Sequence, residues 1–441
     1  MSHFACSEGC GFEAPLSEVI YRCRNCDGLL EVRHAPLGGD GPSWRAWFDE
    51  RWGAIRGPLA SGVWCKRRWV LPKLPKEHIV TLGEGRSPLL PLPRMARALG
   101  LGEVHLKQCG ITATGSFKDL GMTVLVSQVA HMRAEGVPLR AVVCASTGDT
   151  SAALAAYCAA AEIPAVVLLP KAKVTLAQLV QPLSHGAHVL SLETDFDGCM
   201  KVVQALSADP TLYLANSMNA LRLEGQKTVG MEICQQLGWN PPDWIVIPGG
   251  NLGNVTALGK GLQELHAHGV IDTLPRIAVA QAERANPLYR AFKDGFRTLE
   301  SMAAKKTLAS AIQIGNPVSF RRAVRTLQQF NGVVMDATEE ELANAAARAD
   351  REGAFADPHT GVALAALEKL VANGTIAKGS RAAVVSTAHG LKFAELKSGY
   401  HASSLEGVRS ELANPPVEVG ADLSGVQSAL ERLLDRPEAF R

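Results

Sequence analysis

Short hydrophobic runs alternate with longer helical patterns along most of the chain. Seven of these runs are rich in β-branched residues and nearly free of charge: 104–107, 141–145, 165–169, 188–192, 244–247, 277–280 and 382–385. Such continuous hydrophobicity is typical of strands that are buried on both faces of a parallel sheet. The alternation therefore predicts an α/β fold, with two lobes that each contain a largely parallel sheet flanked by helices.

The segments between these runs carry helix signals. Thr338 and Glu341 have the spacing of a capping box, which predicts a helix through the alanine-rich segment to Arg351. Leu125, Val129 and Met132 fall on one helical stripe that ends at Gly136 and Pro138. Both signals agree with helices that connect successive parallel strands.

The two ends of the chain differ from this pattern. Residues 1–60 contain four cysteines and few strand signals, so we predict a small ribbon-like module there. Near the other end, Asn-Pro-Pro at 414–416 reads as a linker. It is followed by a helical apolar stripe formed by Leu423, Val426, Leu430 and Leu433. We expect this last helix to pack on the body of the protein or on a partner subunit.

Composition and charge narrow the class of protein. The 441 residues are 47% hydrophobic and 20% charged, with a net charge of +2, which gives no reason to expect nucleic acid or a membrane as a partner. The N-terminal MSHFACSEG does not resemble a signal peptide, and the polar cluster at 146–150 interrupts the longest weakly charged stretch. Ten cysteines without a secretion signal indicate reduced thiols. We therefore expect a cytoplasmic enzyme with a small-molecule substrate.

Two strand-to-helix junctions are rich in small polar residues. The run 141–145 leads into STGDTS at 146–151, and the run 244–247 leads into GGNLGN at 249–254. The start of a helix offers free N–H groups and the positive end of its dipole, so it favours anions. Plain helix capping explains one such junction. Two at the carboxyl ends of predicted parallel strands, where ligands bind in α/β folds, indicate a binding site.

The motifs restrict which anion binds. GGNLGN lacks the GxGxxG spacing of a dinucleotide site, and no GxxxxGK[ST], HExxH or GxSxG occurs in the chain. A cofactor with a single phosphate remains. Lys118 lies within TGSFKDLGMT (114–123), next to Phe117 and close to glycines. A constrained lysine together with two anion sites suggests pyridoxal phosphate held as a Schiff base.

Five segments carry a family resemblance. In chain order, TGSFKDLGMT, ASTGDTSAALAAYCA, NSMNALRLEGQKT, PGGNLGN and STAHGLKF closely resemble the threonine synthases, which are fold-type-II pyridoxal-phosphate enzymes, and their plant-like branch in particular. The resemblance covers roughly residues 15–400. It implies a large cofactor-binding domain (61–120 and 216–400), a small α/β domain (121–215) and a C-terminal extension (401–441).

The resemblance also implies a role for individual residues. Lys118 would bind the cofactor aldehyde and move protons, and Thr387 would contact the pyridine nitrogen. The cofactor phosphate would be bound by the backbone amides of Gly250, Asn251, Leu252, Gly253 and Asn254. The substrate carboxylate would be bound by the 146–150 loop, with Ser146, Thr147 and Thr150, and the substrate phosphate by Asn216, Ser217 and Arg222. A surface ion pair with Glu224 is the alternative for Arg222.

The implied reaction is the conversion of O-phospho-L-homoserine and water into L-threonine and phosphate, by a homodimer. Other fold-type-II enzymes, such as threonine dehydratase or cysteate synthase, are alternatives. A dehydratase has no substrate phosphate to bind, whereas cysteate synthase, which acts on O-phosphoserine, is poorly separated by sequence. A non-catalytic zinc-ribbon protein is a third alternative, although it predicts that the lysine is missing.

One position departs from the pattern of related enzymes. Many of them carry asparagine where this chain has Asp149, and that amide donates a hydrogen bond to the 3′-oxygen of the cofactor ring. A carboxylate donates a hydrogen bond only when it is protonated. The sequence therefore leaves the role of Asp149 open. His359 and His389 are further acid–base candidates, but we do not assign them a catalytic role.

The N-terminal cysteines have a metal-ligand pattern. Cys6 and Cys10 are separated by three residues, and Cys23 and Cys26 by two. Two such pairs would supply four thiolates to a tetrahedral structural zinc ion, and four reduced thiols are the alternative. The other six cysteines are expected to be small buried apolar residues. The predicted cofactors are thus pyridoxal phosphate and, at this cluster, zinc.

Overall fold

The computed structural model of the chain describes residues 2–146, 148–171, 176–194 and 196–434, without the side chains of 176–178 and 196–197. The described strands are β1 (His3–Cys6), β2 (Glu13–Pro15), β3 (Leu30–Arg33), β4 (Leu89–Pro91), β5 (Glu103–Gln108), β6 (Ala141–Ala145), β7 (Ala165–Pro170), β8 (His188–Leu192), β9 (Leu212–Leu214), β10 (Trp244–Pro248), β11 (Arg276–Ala282), β12 (Val333–Ala337) and β13 (Arg381–Ser386).

The described α-helices are α1 (Gly41–Trp52), α2 (Arg67–Val70), α3 (Pro93–Leu99), α4 (Lys118–Ala134), α5 (Asp149–Ala160), α6 (Leu176–Ser184), α7 (Phe196–Leu206), α8 (Leu221–Gln226), α9 (Thr228–Gln236), α10 (Gly253–Ala267), α11 (Pro287–Lys293), α12 (Phe320–Gln329), α13 (Glu339–Asp350), α14 (Pro358–Ala372), α15 (Ala394–His401) and α16 (Leu423–Leu434).

The strands form three sheets. A small antiparallel sheet has the order β2-β1-β3, and the two larger sheets have the orders β12-β11-β10-β13-β5-β4 and β8-β7-β6-β9. Every pairing in the four-stranded sheet is parallel, and in the six-stranded sheet only the edge strand β4 runs antiparallel, to β5. The parallel strands place their carboxyl ends at one edge of each sheet, where ligands bind in such folds.

The predicted α/β fold is confirmed. All seven predicted strands are present, and Thr338 caps α13 with Glu341 in a complete capping box. Three strands of the larger sheets, β4, β9 and β12, were missed, because the three-residue segments 89–91 and 212–214 and the mixed sequence VVMDA at 333–337 give little strand signal. The strands of the four-stranded sheet lie within 141–214, inside the predicted small domain; the domain boundaries themselves stay predictions.

The small sheet at the N-terminus packs against the helices of the larger part. Glu8 forms an ion pair with Arg325 of α12, with an N–O distance of 3.0 Å, and His34 contacts Glu224 of α8 at 2.7 Å. The backbone of β3 accepts hydrogen bonds from Lys260 of α10 and Arg322 of α12. The predicted ribbon-like module therefore contacts three helices, α8, α10 and α12, of the part of the chain that contains the six-stranded sheet.

The C-terminal helix α16 is formed as predicted, but most of its apolar side chains face solvent. Leu423, Val426, Leu430 and Leu433 are exposed, and Ala429 is the buried residue of this helix. The expected packing on the body of the protein is thus limited to one small side chain. Among the described residues, no helix is both long and apolar enough to cross a lipid bilayer.

Candidate active site

A cleft lies where the carboxyl ends of strands from both large sheets meet. Pro248 ends β10, Thr387 directly follows β13, and Asp149 begins the helix after β6. Lys118 enters the cleft from the first position of α4. The residues that line the cleft are Phe117, Lys118, Asp149, Ser217, Arg222, Leu223, Gln226, Pro248, Gly250, Asn251, Leu252, Gly253, Asn254, Ala311, Ile312, His359 and Thr387.

Lys118 is placed so that its amine can act as a base. Its Nζ lies 4.3 Å from the centroid of the Phe117 ring. Burial, and after it the positive charge of Arg222, lower the pKa of this amine from 10.5 to about 7, although the Asp149 carboxylate acts in the opposite direction. A substantial fraction of the amine is therefore uncharged near neutral pH, as a nucleophile or a general base requires.

Arg222 is a buried guanidinium without an acidic partner among the described residues. Only 4% of the residue is exposed, one terminal nitrogen donates to the carbonyl of Ala215 at 2.9 Å, and Nε has no hydrogen-bond partner. Burial lowers the pKa of this guanidinium to about 10, which still leaves it charged at neutral pH. A buried charge without a counter-ion is costly, so this position favours a bound anion.

The alternative pairing of Arg222 with Glu224 is wrong. Both residues belong to α8, but the Glu224 carboxylate lies on the side away from the cleft, where it contacts His34, Lys227 and Lys260. Burial acts to raise the pKa of Glu224, but these three basic neighbours outweigh it and hold that pKa well below its usual value. Residues two positions apart on a helix do not face each other, which explains the separation.

Two glycines bring the helices of Lys118 and Arg222 together. A Cβ atom on Gly225 of α8 would lie 1.6 Å from the carbonyl oxygen of Leu120 in α4. A Cβ atom on Gly121 of α4 would approach the backbone and Cβ of Arg222 to about 3.0 Å. Larger residues at either position would separate the helices, so the glycines fix how closely Arg222 approaches Lys118.

The glycine-rich loop after β10 presents backbone amides to the cleft. Leu252 has the left-handed backbone conformation (φ 65°) immediately before α10, and Asn254 donates to the carbonyl of Pro248 at 2.7 Å. The amides of Gly250 and Leu252, together with that of Asn251, donate to no protein acceptor in the described part of the chain. Unpaired amides at a helix N-terminus form an anion site.

The loop that carries Thr387 is supported by a buried carboxylate. Asp357, the N-cap of α14, accepts a hydrogen bond from the amide of Ala388 at 3.1 Å and from the amide and ring of His359. The second ring nitrogen of His359 accepts from the amide of Ala311 at 3.0 Å. Both nitrogens of His359 are thus occupied within the protein, so it supports the cleft wall rather than exchanging protons with a ligand.

Ten of the predicted site residues line this cleft: Lys118, Asp149, Ser217, Arg222, Gly250, Asn251, Leu252, Gly253, Asn254 and Thr387. Ser146, Thr150 and Asn216 do not line it, and Thr147 lies outside the described residues. The amide of Asn216 is instead bonded to both the N–H and the C=O of Ala145, which joins the ends of β6 and β9. The substrate roles of these four residues stay predictions.

Several cleft residues were not predicted from sequence. Gln226 lies one helical turn after Arg222, and Ala311 and Ile312 cover the Gly250 loop from a distant segment. A helical projection of α8 would have indicated Gln226, because residues four apart share a face. No local signal indicates Ala311 or Ile312, because only the tertiary fold brings them to this loop.

The four N-terminal cysteines converge at one point. Their sulfur atoms all lie within 4.8 Å of one another, with the pairs Cys6–Cys26 at 3.4 Å and Cys10–Cys23 at 3.3 Å. Tetrahedral zinc with four thiolates requires sulfur separations of about 3.8 Å, given Zn–S bonds of about 2.3 Å. The remaining six cysteines are buried, as predicted, and form no disulfide bond within the described part of the chain.

The residues of the cleft fit pyridoxal phosphate. Lys118 offers an amine of lowered pKa, the 250–254 loop offers unpaired amides for a phosphate, and Thr387 offers a hydroxyl. The carboxyl edge of β10 and the N-terminus of α10 place the phosphate site next to the lysine. Arg222 then remains as a second anion site in the same cleft.

Comparisons with known proteins agree with this fit. Residues 80–388 match the family described as pyridoxal-phosphate dependent enzyme. Threonine synthase 2, chloroplastic, of Arabidopsis thaliana is 50% identical over 424 residues, which are 95% of this chain and 82% of that protein. Threonine synthase of Methanosarcina acetivorans is 40% identical over 89% of this chain and 92% of that protein.

Solved structures share the fold. The crystal structure of threonine synthase from Escherichia coli aligns with a TM-score of 0.72 at 19% identity, over 98% of this chain and all of that one. The threonine synthase from yeast aligns with a TM-score of 0.68 at 19% identity, covering 98% and 99% of the two chains. With the sequence relatives, these findings show that the chain belongs to the threonine synthase family of pyridoxal-phosphate dependent enzymes.

Proposed function

We propose that the protein converts O-phospho-L-homoserine and water into L-threonine and phosphate. Family membership supports this reaction, and one observation in the cleft carries it: Arg222 is buried in the same cleft as Lys118, without an acidic partner among the described residues. A substrate that bears a phosphate would supply the missing negative charge. An enzyme that acts on an unphosphorylated amino acid gives no reason for this cation.

The cofactor would be held by three sets of residues. Lys118 would bind its aldehyde, the amides of the 250–254 loop its phosphate, and the Thr387 hydroxyl its ring nitrogen. Pyridoxal phosphate, when bound, supplies an electron sink for the negative charge that develops at the substrate α-carbon.

Lys118 moves the protons in this proposal. Its uncharged amine removes the proton from the substrate Cα and then one from Cβ, and the lowered pKa makes both steps accessible near neutral pH. Arg222, with Ser217, binds the phosphate group whose bond to Cγ breaks. One of the two removed protons is delivered to Cγ, which becomes a methyl group, and the other returns to Cα. Water adds its hydroxyl group at Cβ and gives its remaining proton to the released phosphate.

The test measures both products. The purified protein, supplied with pyridoxal phosphate and O-phosphohomoserine, should release threonine and phosphate in equal amounts, and Lys118→Ala should release neither. Phosphate without threonine would refute the assignment. Parallel incubations with O-phosphoserine and sulfite, and with threonine alone, examine the cysteate synthase and dehydratase alternatives, which predict cysteate in the first case and ammonia in the second.

We also propose that Cys6, Cys10, Cys23 and Cys26 bind one structural zinc ion. The convergence of four sulfurs supports this, as do the backbone N–H groups of Glu8 and Asn25, which donate to Cys6 and Cys23 at 3.4 and 3.3 Å. Elemental analysis should find about one zinc per chain, which Cys10→Ser lowers and Cys234→Ala, a buried control, does not. Protein that folds and contains no metal after expression with zinc would exclude the site.

We also propose that the protein is a homodimer and that it is located in the cytoplasm. The homodimer is supported by the family alone, and light scattering of the purified protein would measure it directly. The cytoplasmic location is supported by the ten cysteines, which form no disulfide bond within the described part of the chain. A disulfide detected in protein from the cell, by mass spectrometry without reduction, would count against this location.

A further inference from the structure

Lys392 forms a polar node at the border of the cleft. It lies in the helical turn Gly390–Phe393, five positions after Thr387, and its side chain is 21% exposed. Its ammonium group donates to the carbonyl of Thr114 at 2.9 Å and to the side-chain oxygen of Gln181 at 2.9 Å, and it forms an ion pair with Asp149 at 2.9 Å.

The partners of Lys392 belong to three separate segments. Thr114 lies in the loop that leads to Lys118, Asp149 is the first residue of α5, and Gln181 belongs to α6. Gln181 also donates to the carbonyl of Thr114, at 3.2 Å. The side chain of Lys392, which follows β13 of the six-stranded sheet, is therefore bonded to the loop before Lys118. It is also bonded to α5 and α6, two helices that flank the four-stranded sheet.

Asp149 is the charged member of this node that also lines the cleft. Its side chain is only 10% exposed, and its carboxylate acts electrostatically on Lys118. The charged or titratable side chains that line the cleft around Lys118 are Asp149 of α5, Arg222 of α8 and His359 of α14. Of these, His359 has both ring nitrogens bonded within the protein, and Arg222 is a cation.

We propose that Lys392 is a positioning residue, which holds the Asp149 carboxylate in an ion pair and neutralises its charge toward Lys118. The inference deepens the proposed function, on which it rests. It also gives a reason for aspartate at this position: the carboxylate has a partner within the protein, so it does not depend on donating a hydrogen bond to a ligand. Without Lys392, the uncompensated carboxylate would favour the protonated form of Lys118.

The test measures cofactor binding in the absence of substrate. Only the uncharged Lys118 amine reacts with an aldehyde, so the rate at which pyridoxal phosphate binds to the cofactor-free protein rises with pH and levels off above the pKa of the amine. Lys392→Met should move the midpoint of this profile upward by about one pH unit. Lys392→Arg, which keeps the charge, should restore it.

Two further variants distinguish an electrostatic effect on the midpoint from a structural one. Gln181→Ala removes a hydrogen bond from the same node without changing any charge, and should leave the midpoint in place. Asp149→Asn, with Lys392 retained, should move the midpoint downward. It should also cancel the upward shift when it is combined with Lys392→Met.

The outcomes distinguish this inference from the proposed function. If Lys392→Met binds the cofactor with an unchanged midpoint, or if Gln181→Ala shifts it equally, the positioning role is overturned. Should Lys392→Met fail to fold, Lys392→Gln takes its place, and an unchanged midpoint in that variant overturns the role. Wild-type protein that never binds pyridoxal phosphate would instead overturn the proposed function.

Discussion

The two faces of α8 differ in whether a buried charge has a partner of opposite charge within the protein. Glu224 faces the N-terminal ribbon and is surrounded by His34, Lys227 and Lys260, whereas Arg222 faces the cleft without an acidic partner in the described part of the chain. Both residues are almost fully buried. A buried charge that is compensated within the protein contributes to the fold, and one that is not compensated indicates where a ligand of opposite charge binds.

The largest expected effect comes from removing the uncompensated charge. Arg222→Met should lower kcat/KM for O-phosphohomoserine by about a thousandfold, equivalent to about 4 kcal/mol of transition-state stabilisation, because the substrate phosphate loses its buried cation. Steady-state kinetics measure it. The control is Arg348→Met, which removes an arginine paired with Glu368 and Glu411 and should leave kcat/KM unchanged.

This variant also separates binding from folding. Because Arg222 has no acidic partner to leave unpaired, Arg222→Met should not lower the free energy of unfolding of the cofactor-free protein in urea. A loss of stability as large as the loss of activity would mean that Arg222 is part of the fold, and the contrast between the two faces would then fail.

A substitution of Glu224, on the other face of α8, should instead lower the stability of the fold. Glu224→Gln should lower the free energy of unfolding by about 2 kcal/mol, because His34 loses its counter-ion and Lys227 and Lys260 keep only Glu264, at 2.8 and 3.9 Å. Urea denaturation measures the change. Glu50→Gln, at an exposed ion pair with Arg51, is the matched control and should change stability by less than about 0.5 kcal/mol.

A smaller effect is expected on the titration of Lys118. In wild-type protein the rate of pyridoxal phosphate binding should rise with pH to a midpoint near 7 and then level off, because the lysine pKa is lowered to about 7. Arg222→Met removes a positive charge that disfavours the protonated amine, so the midpoint should move upward by roughly one unit. A rate that still increases tenfold per unit above pH 8 in wild-type protein would contradict the lowered pKa.

The smallest expected effect concerns an isolated anion. Inorganic phosphate, added to the protein already saturated with pyridoxal phosphate, should stabilise wild-type protein by about 1.4 kcal/mol at ten times its dissociation constant. Arg222→Met should show no such stabilisation in thermal denaturation, and chloride at equal ionic strength is the control. Equal stabilisation of both proteins would mean that inorganic phosphate binds at a site that does not include Arg222.

The features that sequence indicated correctly depend on local chemistry. The strand 141–145, the glycine loop at 249–254 and the paired cysteines are each defined by neighbouring residues, and the structure contains all three. That a residue belongs to a motif predicted less reliably whether its side chain faces the cleft. Asn216 and Ser217 are adjacent in the same motif, yet only Ser217 lines the cleft, because the amide of Asn216 pairs with Ala145.

The features that sequence could not indicate are relations between distant segments. Lys392 meets Asp149 across more than two hundred residues, and no local pattern relates them. The compensation of Glu224 likewise depends on His34, which comes from the N-terminal module. Whether a buried charge has a partner is a property of the folded chain, and it is this property that separates the two faces of α8.

The glycine contact between α4 and α8 sets part of the geometry of the cleft. Gly225 lies against the carbonyl of Leu120 and Gly121 against the backbone and Cβ of Arg222, so a larger residue at either glycine would separate the two helices. Lys118 and Arg222 are therefore carried by two helices whose backbones are in direct contact. In the proposed reaction, this contact sets the distance between the group that moves the protons and the group that binds the leaving phosphate.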